Sequence, residues 1–191
     1  GNAIFIRLGH RDGQKPGSIK NVSIKDIKVQ VPFGRPDLNY DVRGPEVDFF
    51  HNPFPSSIVG IPGYKIENVV LENIEINFPG RASKAMAYVP LSRLNQVPEA
   101  VKDYPEFSMF GELPAWAFYV RHADGISMKN IKLTLDDSDF RPAFVLDDVQ
   151  NLNMQQIDLP KAKSNQVVLK SVTSSNLDEK LVKQKLEIQN K

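Results

Sequence analysis

The chain has 191 residues, 41% of them hydrophobic, enough to bury a sizeable core in one domain or in a piece of a larger one. Its 24 basic and 23 acidic side chains leave a formal charge of +1, so the composition announces no nucleic acid as a partner. The absence of cysteine excludes disulfides and thiolate metal sites, and no run of apolar residues approaches the length that crosses a membrane as a helix.

The first residues, Gly1 and Asn2 followed by Ala3 to Ile6, lack the basic region and long apolar run of a signal peptide and read as a short strand. The next segment, Ile19-Lys-Asn-Val22-Ser-Ile24-Lys-Asp26-Ile27-Lys-Val29, alternates apolar and polar residues, breaks for two positions and alternates again. That pattern describes two short strands joined at a tight corner. It recurs at Ile66 to Ile76, at Ala123 to Leu133 and at Val149 to Leu159, so four copies establish a repeat. The corner column carries Asp26, Asn73, Asn130 and Gln156. Asn and Asp tolerate the left-handed backbone better than other residues with a side chain, so the column marks a turn that needs it.

A further strand precedes each copy: Ala3 to Ile6, Ser57 to Ile61, Ala117 to Val120 and Ala143 to Leu146. Val167-Val168-Leu169 followed by Val172 looks like the start of another. Three strands per repeat, with all inward residues aliphatic, predict an all-β right-handed parallel β-helix of about four to five coils over residues 1–175. Two long insertions, about 32–56 and 79–115, are rich in proline, glycine and aromatics, and loops of that length are commonly functional or are lids and caps. From about Ser174 the composition turns polar around Leu177, Leu181, Leu186 and Ile188, which gives residues 176–191 as a terminal cap or a fraying tail.

Stacking has a second signature in the outward charges. Residues in one column become neighbours across a parallel ladder, and the columns Lys28, Glu75, Lys132, Asp158 and Lys25, Glu72, Lys129, Gln155 alternate in sign where they are charged. Leucine-rich repeats share the first apolar spacings but need asparagine three residues after the third apolar position, where this chain has Ile27, Ile74, Ile131 and Ile157. An amphipathic helix does not fit the β-branched alternation and its two-residue breaks.

Three stretches carry a family resemblance: Ile4-Phe-Ile-Arg-Leu-Gly-His-Arg11 running into Gly17 to Val22, then Phe107 to His122 (FSMFGELPAWAFYVRH), and Asp139 to Asp148 (DFRPAFVLDD). On these the chain resembles the later coils of glycoside hydrolase family 28, the polygalacturonase-like enzymes, in its bacterial pectin-degrading form. The resemblance implies an extracytoplasmic protein acting on galacturonate-containing polysaccharide, with an inverting mechanism in which one aspartic acid protonates the leaving oxygen and others activate water. No cofactor and no metal is expected, since neither a metal-ligand spacing nor a glycine-rich phosphate loop occurs. The family's Asn-Thr-Asp and Gly-His-Gly motifs do not occur here, so no catalytic residue is assigned and the isolated chain is expected to be inactive. In one register the family's Arg-Ile-Lys site falls on Phe5-Ile6-Arg7; in another Gly9-His10-Arg11 lies near the Gly-His-Gly coil.

Candidate binding residues follow. Arg7, His10 and Arg11 form the densest basic cluster, suited either to a sugar carboxylate or to plain solvation. Arg121 and His122 end an apolar strand and could meet a sugar acid or serve structure. Trp116 and Tyr119 offer flat rings for a sugar or for packing. The adjacent pairs Asp147-Asp148 and Asp136-Asp137 come late in the repeat and read as turn residues. His10, His51 and His122 lie on separate segments with no metal-ligand spacing. The strand at Ala3 to Ile6 leaves an open edge, which is expected to pair with a second copy of the chain or to fray. The alternative to a hydrolase segment is a non-catalytic module that binds acidic polysaccharide or acts as a scaffold.

Overall fold

The computed structural model describes residues 2–34, 44, 54–82, 89–162 and 164–189. The alternating segments form strands: β1 Phe5–Arg7, β2 Lys20–Gln30, β3 Ser56–Val59, β4 Ile66–Phe78, β5 Phe118–Leu135, β6 Phe144–Asp158, β7 Val167–Lys170, β8 Thr173–Leu177 and β9 Lys185–Ile188. A 3-10 helix, Leu91–Gln96, and one turn of α-helix, α1 Glu179–Val182, are the helical elements named among the described residues. All nine strands belong to one sheet and every named pairing is parallel, so the fold is all-β with little helix.

The register is the one the repeat demands. Lys28 lies opposite Glu75, Glu75 opposite Lys132, and Lys132 opposite Asp158. Val29, Ile76 and Leu133 share an inner column, and Leu159 packs against the same core. The charge columns close into ion pairs, with Lys25–Glu72 at 2.8 Å and Lys28–Glu75 at 3.2 Å. Strand order follows two branches, β1-β3-β5-β6-β7-β9 and β2-β4-β5-β6-β8, because the long strands β5 and β6 each serve both.

Both long strands bend where the backbone turns left-handed. The predicted corner holds: Asp26, Asn73, Asn130 and Gln156 have φ between 54° and 57°. Two further corner columns accompany it, one at Asn21, Asn68, Gly125, Asn151 and Ser174, the other at His122, Asp148 and Ser171. The asparagines stack as they turn. Asn73 donates to Asp26 and Asn130 donates to Asn73, both at 2.8 Å, so each rung satisfies a corner amide with its neighbour in the next repeat.

Inward side chains build one core. Val69, Leu71, Ile76, Ile126 and Met128 are fully buried, and the Phe118 and Phe144 rings stack 5.6 Å apart. Leu181 on α1 is 1% exposed and joins this core from the chain's C-terminal side, held by the Asp178 side chain that caps the helix. A second apolar cluster lies on the opposite side of the first strands. There Val59, Tyr119, Val145 and Val168 are covered by Leu94, Val97, Met109, Phe110 and Leu113 from the second insertion. Most of the first insertion, with His51, lies outside the described residues, as do residues 83–88 of the second.

Candidate functional site

The site is assembled at the end of the first strand of each repeat. Parallel pairing puts Arg7, Val59, Arg121, Asp147 and Lys170 in one outward column. The next position forms the left-handed corner of His122 (φ 51°) and Asp148 (φ 56°). Gly60 precedes them in this column, and a Cβ there would lie 2.3 Å from the His122 carbonyl oxygen, so only glycine fits.

Over this column lies residues 89–105 of the second insertion, here called the strap. Two buried arginines tie it down through its own backbone. Arg7 donates to the Glu99 carbonyl at 2.7 Å and the Ala100 carbonyl at 3.0 Å, and on its other side to the Gly60 carbonyl at 2.6 Å. Its guanidinium also lies 5.3 Å from the centroid of the Phe110 ring. Burial lowers its pKa to about 10, against the opposing pull of Glu99 and Asp103, and leaves it charged at neutral pH. Arg121 donates to the Val97 carbonyl at 3.0 Å and meets the Glu99 carboxylate at 2.5 Å. Asp147, 3% exposed, sits 3.7 Å from Arg121 and 3.1 Å from Lys170.

His122 bridges two carboxylates. Nδ1 lies 2.7 Å from Asp148 and Nε2 lies 3.1 Å from Glu99, while Lys65 holds the other Asp148 oxygen at 2.9 Å. A neutral imidazole has one N–H to give, so it can satisfy one of these carboxylates and the imidazolium can satisfy both. Burial works against the charged ring, but the hydrogen bonds to Glu99 and Asp148 outweigh it and hold His122 above its ordinary range. Glu99 and Asp148 are held below theirs, burial again being overcome by His122 and the neighbouring cations.

Beside the strap lies an open cleft of about 710 Å³. The Gly9–Pro16 loop supplies His10, Gly13, Gln14, Lys15 and Pro16, the turn at Ile61 to Tyr64 supplies Ile61, Pro62 and Tyr64, and the strap supplies Val101. The strap wall is pinned by the His10 amide on the Val101 carbonyl at 2.8 Å and by Lys102 on Asp12 at 2.8 Å. Tyr64 is 44% exposed, and His10 hydrogen-bonds through Nε2 to the Gln14 carbonyl. A second cleft of about 500 Å³ runs past Trp116, Asp136, Asp137 and Lys161.

The predicted binding residues therefore separate. Arg7, Arg121 and His122 come together under the strap, where the terminal guanidinium nitrogens and the imidazole meet protein groups, while the Nε of each arginine is buried without a hydrogen-bond partner. His10 lines the open cleft and Arg11 is exposed outside the buried cluster. Tyr119 is fully buried beneath the strap, and desolvation pushes its phenol well above the ordinary range. Trp116 is 3% exposed, with its indole N–H 3.3 Å from Gln166 and its ring edge-on to Phe78. Neither ring has an exposed face for a sugar. Sequence reasoning passed over Lys15, Tyr64, Lys65 and Glu99. Glu99 carried no periodic signal, whereas Tyr64 follows Pro62 and Gly63 in a tight turn and could have been read as a presented aromatic.

Both adjacent aspartate pairs are engaged. Asp136 accepts from Asn77 at 2.8 Å and Asp137 meets Arg81 at 2.9 Å, while Asp147 and Asp148 have the cations described above. Among the described residues no three metal-ligating side chains come together, and no helix is long and apolar enough to cross a membrane. No family model, curated protein or solved structure matches this chain.

Proposed function

We propose that the chain is a stretch of a right-handed parallel β-helix of the polygalacturonase-like type, and that its open cleft binds acidic, galacturonate-containing polysaccharide outside the cytoplasm. The observation that carries this reading is the cleft lined by Lys15, His10 and the half-exposed ring of Tyr64. A lysine ammonium can meet a sugar carboxylate, and an exposed aromatic ring gives the apolar face of a sugar a surface to rest on. The parallel register and the left-handed asparagine corners support the β-helix, and the three family-like stretches support the substrate class.

The engaged aspartates favour binding over hydrolysis in this stretch. A general acid needs a carboxyl kept protonated by its surroundings, and Asp148 is held the other way. Hydrolysis by a larger protein would draw its aspartates from preceding coils. An Asn-Thr-Asp motif and an Asp-Asp pair encoded upstream would mark this stretch as part of a hydrolase, and their absence there would leave a binding module.

Calorimetry of the 191-residue chain tests the binding reading. Oligogalacturonate is expected to bind at least tenfold more tightly than a neutral galactan oligosaccharide of equal length, and the double change Lys15→Ala, Tyr64→Ala to remove most of that binding. Equal affinity for both sugars, or no loss in the variant, would refute it.

A further inference from the structure

We infer that the open edge of β2 is an interaction surface for a further parallel β strand with aliphatic side chains inward and carboxylates outward. β2 pairs with β4 along one side, and among the described residues nothing pairs with its other side. Its inward residues Ile19, Val22, Ile24, Ile27 and Val29 pack against the core but remain partly exposed. The residues they stack on, Ile66, Val69, Leu71, Ile74 and Ile76, are at most 2% exposed. One more strand accounts for the difference.

The edge also specifies the charge of its partner. Lys20, Lys25 and Lys28 point outward from β2, and on the paired side they meet Glu67, Glu72 and Glu75 at 2.9, 2.8 and 3.2 Å. Lys129 and Lys132 follow at 4.0 and 3.5 Å from Glu72 and Glu75, so these two columns alternate in sign from one repeat to the next, whereas Glu67 is followed by Asp124. Continued in the other direction, the alternation calls for carboxylates. The corner adds a hydrogen-bond requirement: Asp26 already accepts from Asn73 and can only accept again, so the incoming corner residue must donate.

A second copy of this chain meets neither condition. Two β2 edges brought together set three lysines against three lysines, and like charges directly opposite are destabilising. The opposite end of the sheet offers β8, which places Ser175 in the column of Leu152 and is exposed along most of its length. The strand that does fit is one built like β4, whose sequence from Ile66 to Phe78 has aliphatics inward, glutamates outward and Asn73 at the corner. Recognition would be by strand addition, in which the backbone supplies affinity and the alternating side chains supply selectivity. The inference does not depend on what the cleft binds.

The test uses a labelled peptide with the sequence of Ile66–Phe78, a second peptide with lysine in place of its three glutamates, and the full chain at low ionic strength. Fluorescence anisotropy is expected to show the acidic peptide binding at least tenfold more tightly than the basic one. The exposed double change Lys25→Glu, Lys28→Glu is expected to invert that order, with circular dichroism confirming an unchanged fold. Failure of both peptides to bind, or an order that the double change leaves alone, would overturn the inference. So would a wild-type dimer in sedimentation that Val22→Ser dissociates, because it would make the second copy the occupant.

Discussion

The corner asparagines combine two roles that separate substitutions can divide. Asn73 holds φ at 55°, donates one ladder hydrogen bond to Asp26 and accepts another from Asn130. Alanine loses both bonds and suffers the left-handed backbone, which costs about 1–2 kcal/mol, whereas glycine loses the bonds alone. Urea unfolding is therefore expected to rank wild type above Asn73→Gly and Asn73→Gly above Asn73→Ala; the reverse order of the two variants would remove the backbone explanation. At the inner face, Ile74 is 2% exposed between Ile27 and Ile131, so Ile74→Ala should cost about 2–5 kcal/mol. A loss below half a kcal/mol, roughly, would mean that the column is not packed. Arg121 is a buried cation whose truncation removes the shortest ion pair of Glu99 and one of the two cations beside Asp147, leaving His122 and Lys170 as their remaining partners, and Arg121→Ala is expected to destabilise by up to about 3 kcal/mol.

At the scale of the element, the strap depends on ionisation. His122 has a folded pKa above its ordinary 6.5, so its contribution is fully present below about that pH and is lost as the pH rises through the raised value. Glu99 and Asp148 have folded values below their ordinary 4.5 and 3.8, so theirs is present above those values and lost as the pH falls through the depressed ones. The strap is therefore held best between the carboxylate range and the raised histidine value. Arg7, with its pKa lowered only to about 10, and the Arg121 hydrogen bond to the Val97 carbonyl keep it from detaching on the alkaline side, where it loosens without leaving. Amide exchange of Val97 and Glu99 to Val101, normalised to Ile126–Leu133, should rise on both sides of this window. His122→Asn, which tolerates the left-handed corner, should flatten the alkaline limb. A profile already flat from pH 5 to 9 in the wild type would show that His122 does not latch the strap.

For the whole molecule, the 24 basic and 23 acidic side chains nearly cancel, and several of them pair in columns on the outer faces. The proposed binding of acidic polysaccharide at Lys15 should be salt-sensitive, weakening as the Debye length falls from about 10 Å at 0.1 M salt to about 3 Å at 1 M. The chain alone is expected to release no reducing ends from polygalacturonate above a blank. Activity abolished by changing Asp147 or Asp148 would reverse the assignment of those two residues to the ion-pair network.

The sequence by itself determined the strands, their parallel register, the left-handed corner at Asp26, Asn73, Asn130 and Gln156, and the inner aliphatic columns. A repeat does this because residues in one column become neighbours, and side-chain period and charge sign are then read directly from spacing. The other two corner columns were also written there, in Asn21, Asn68, Gly125 and Asn151 and in His122, Asp148 and Ser171, though the last carries no single residue type to betray it. Only the tertiary structure decided the fate of Trp116, which the main core takes in against Phe78 and Gln166, and of Arg7, Tyr119, Arg121 and His122. The last four, at outward or strand-end positions, look available along the strand, and periodicity has no term for an insertion that folds back over them. The strap supplies carbonyls from Val97, Glu99 and Ala100 and apolar cover from Leu94 and Val97, so side chains that would face water become interior and their charges find partners far away in sequence.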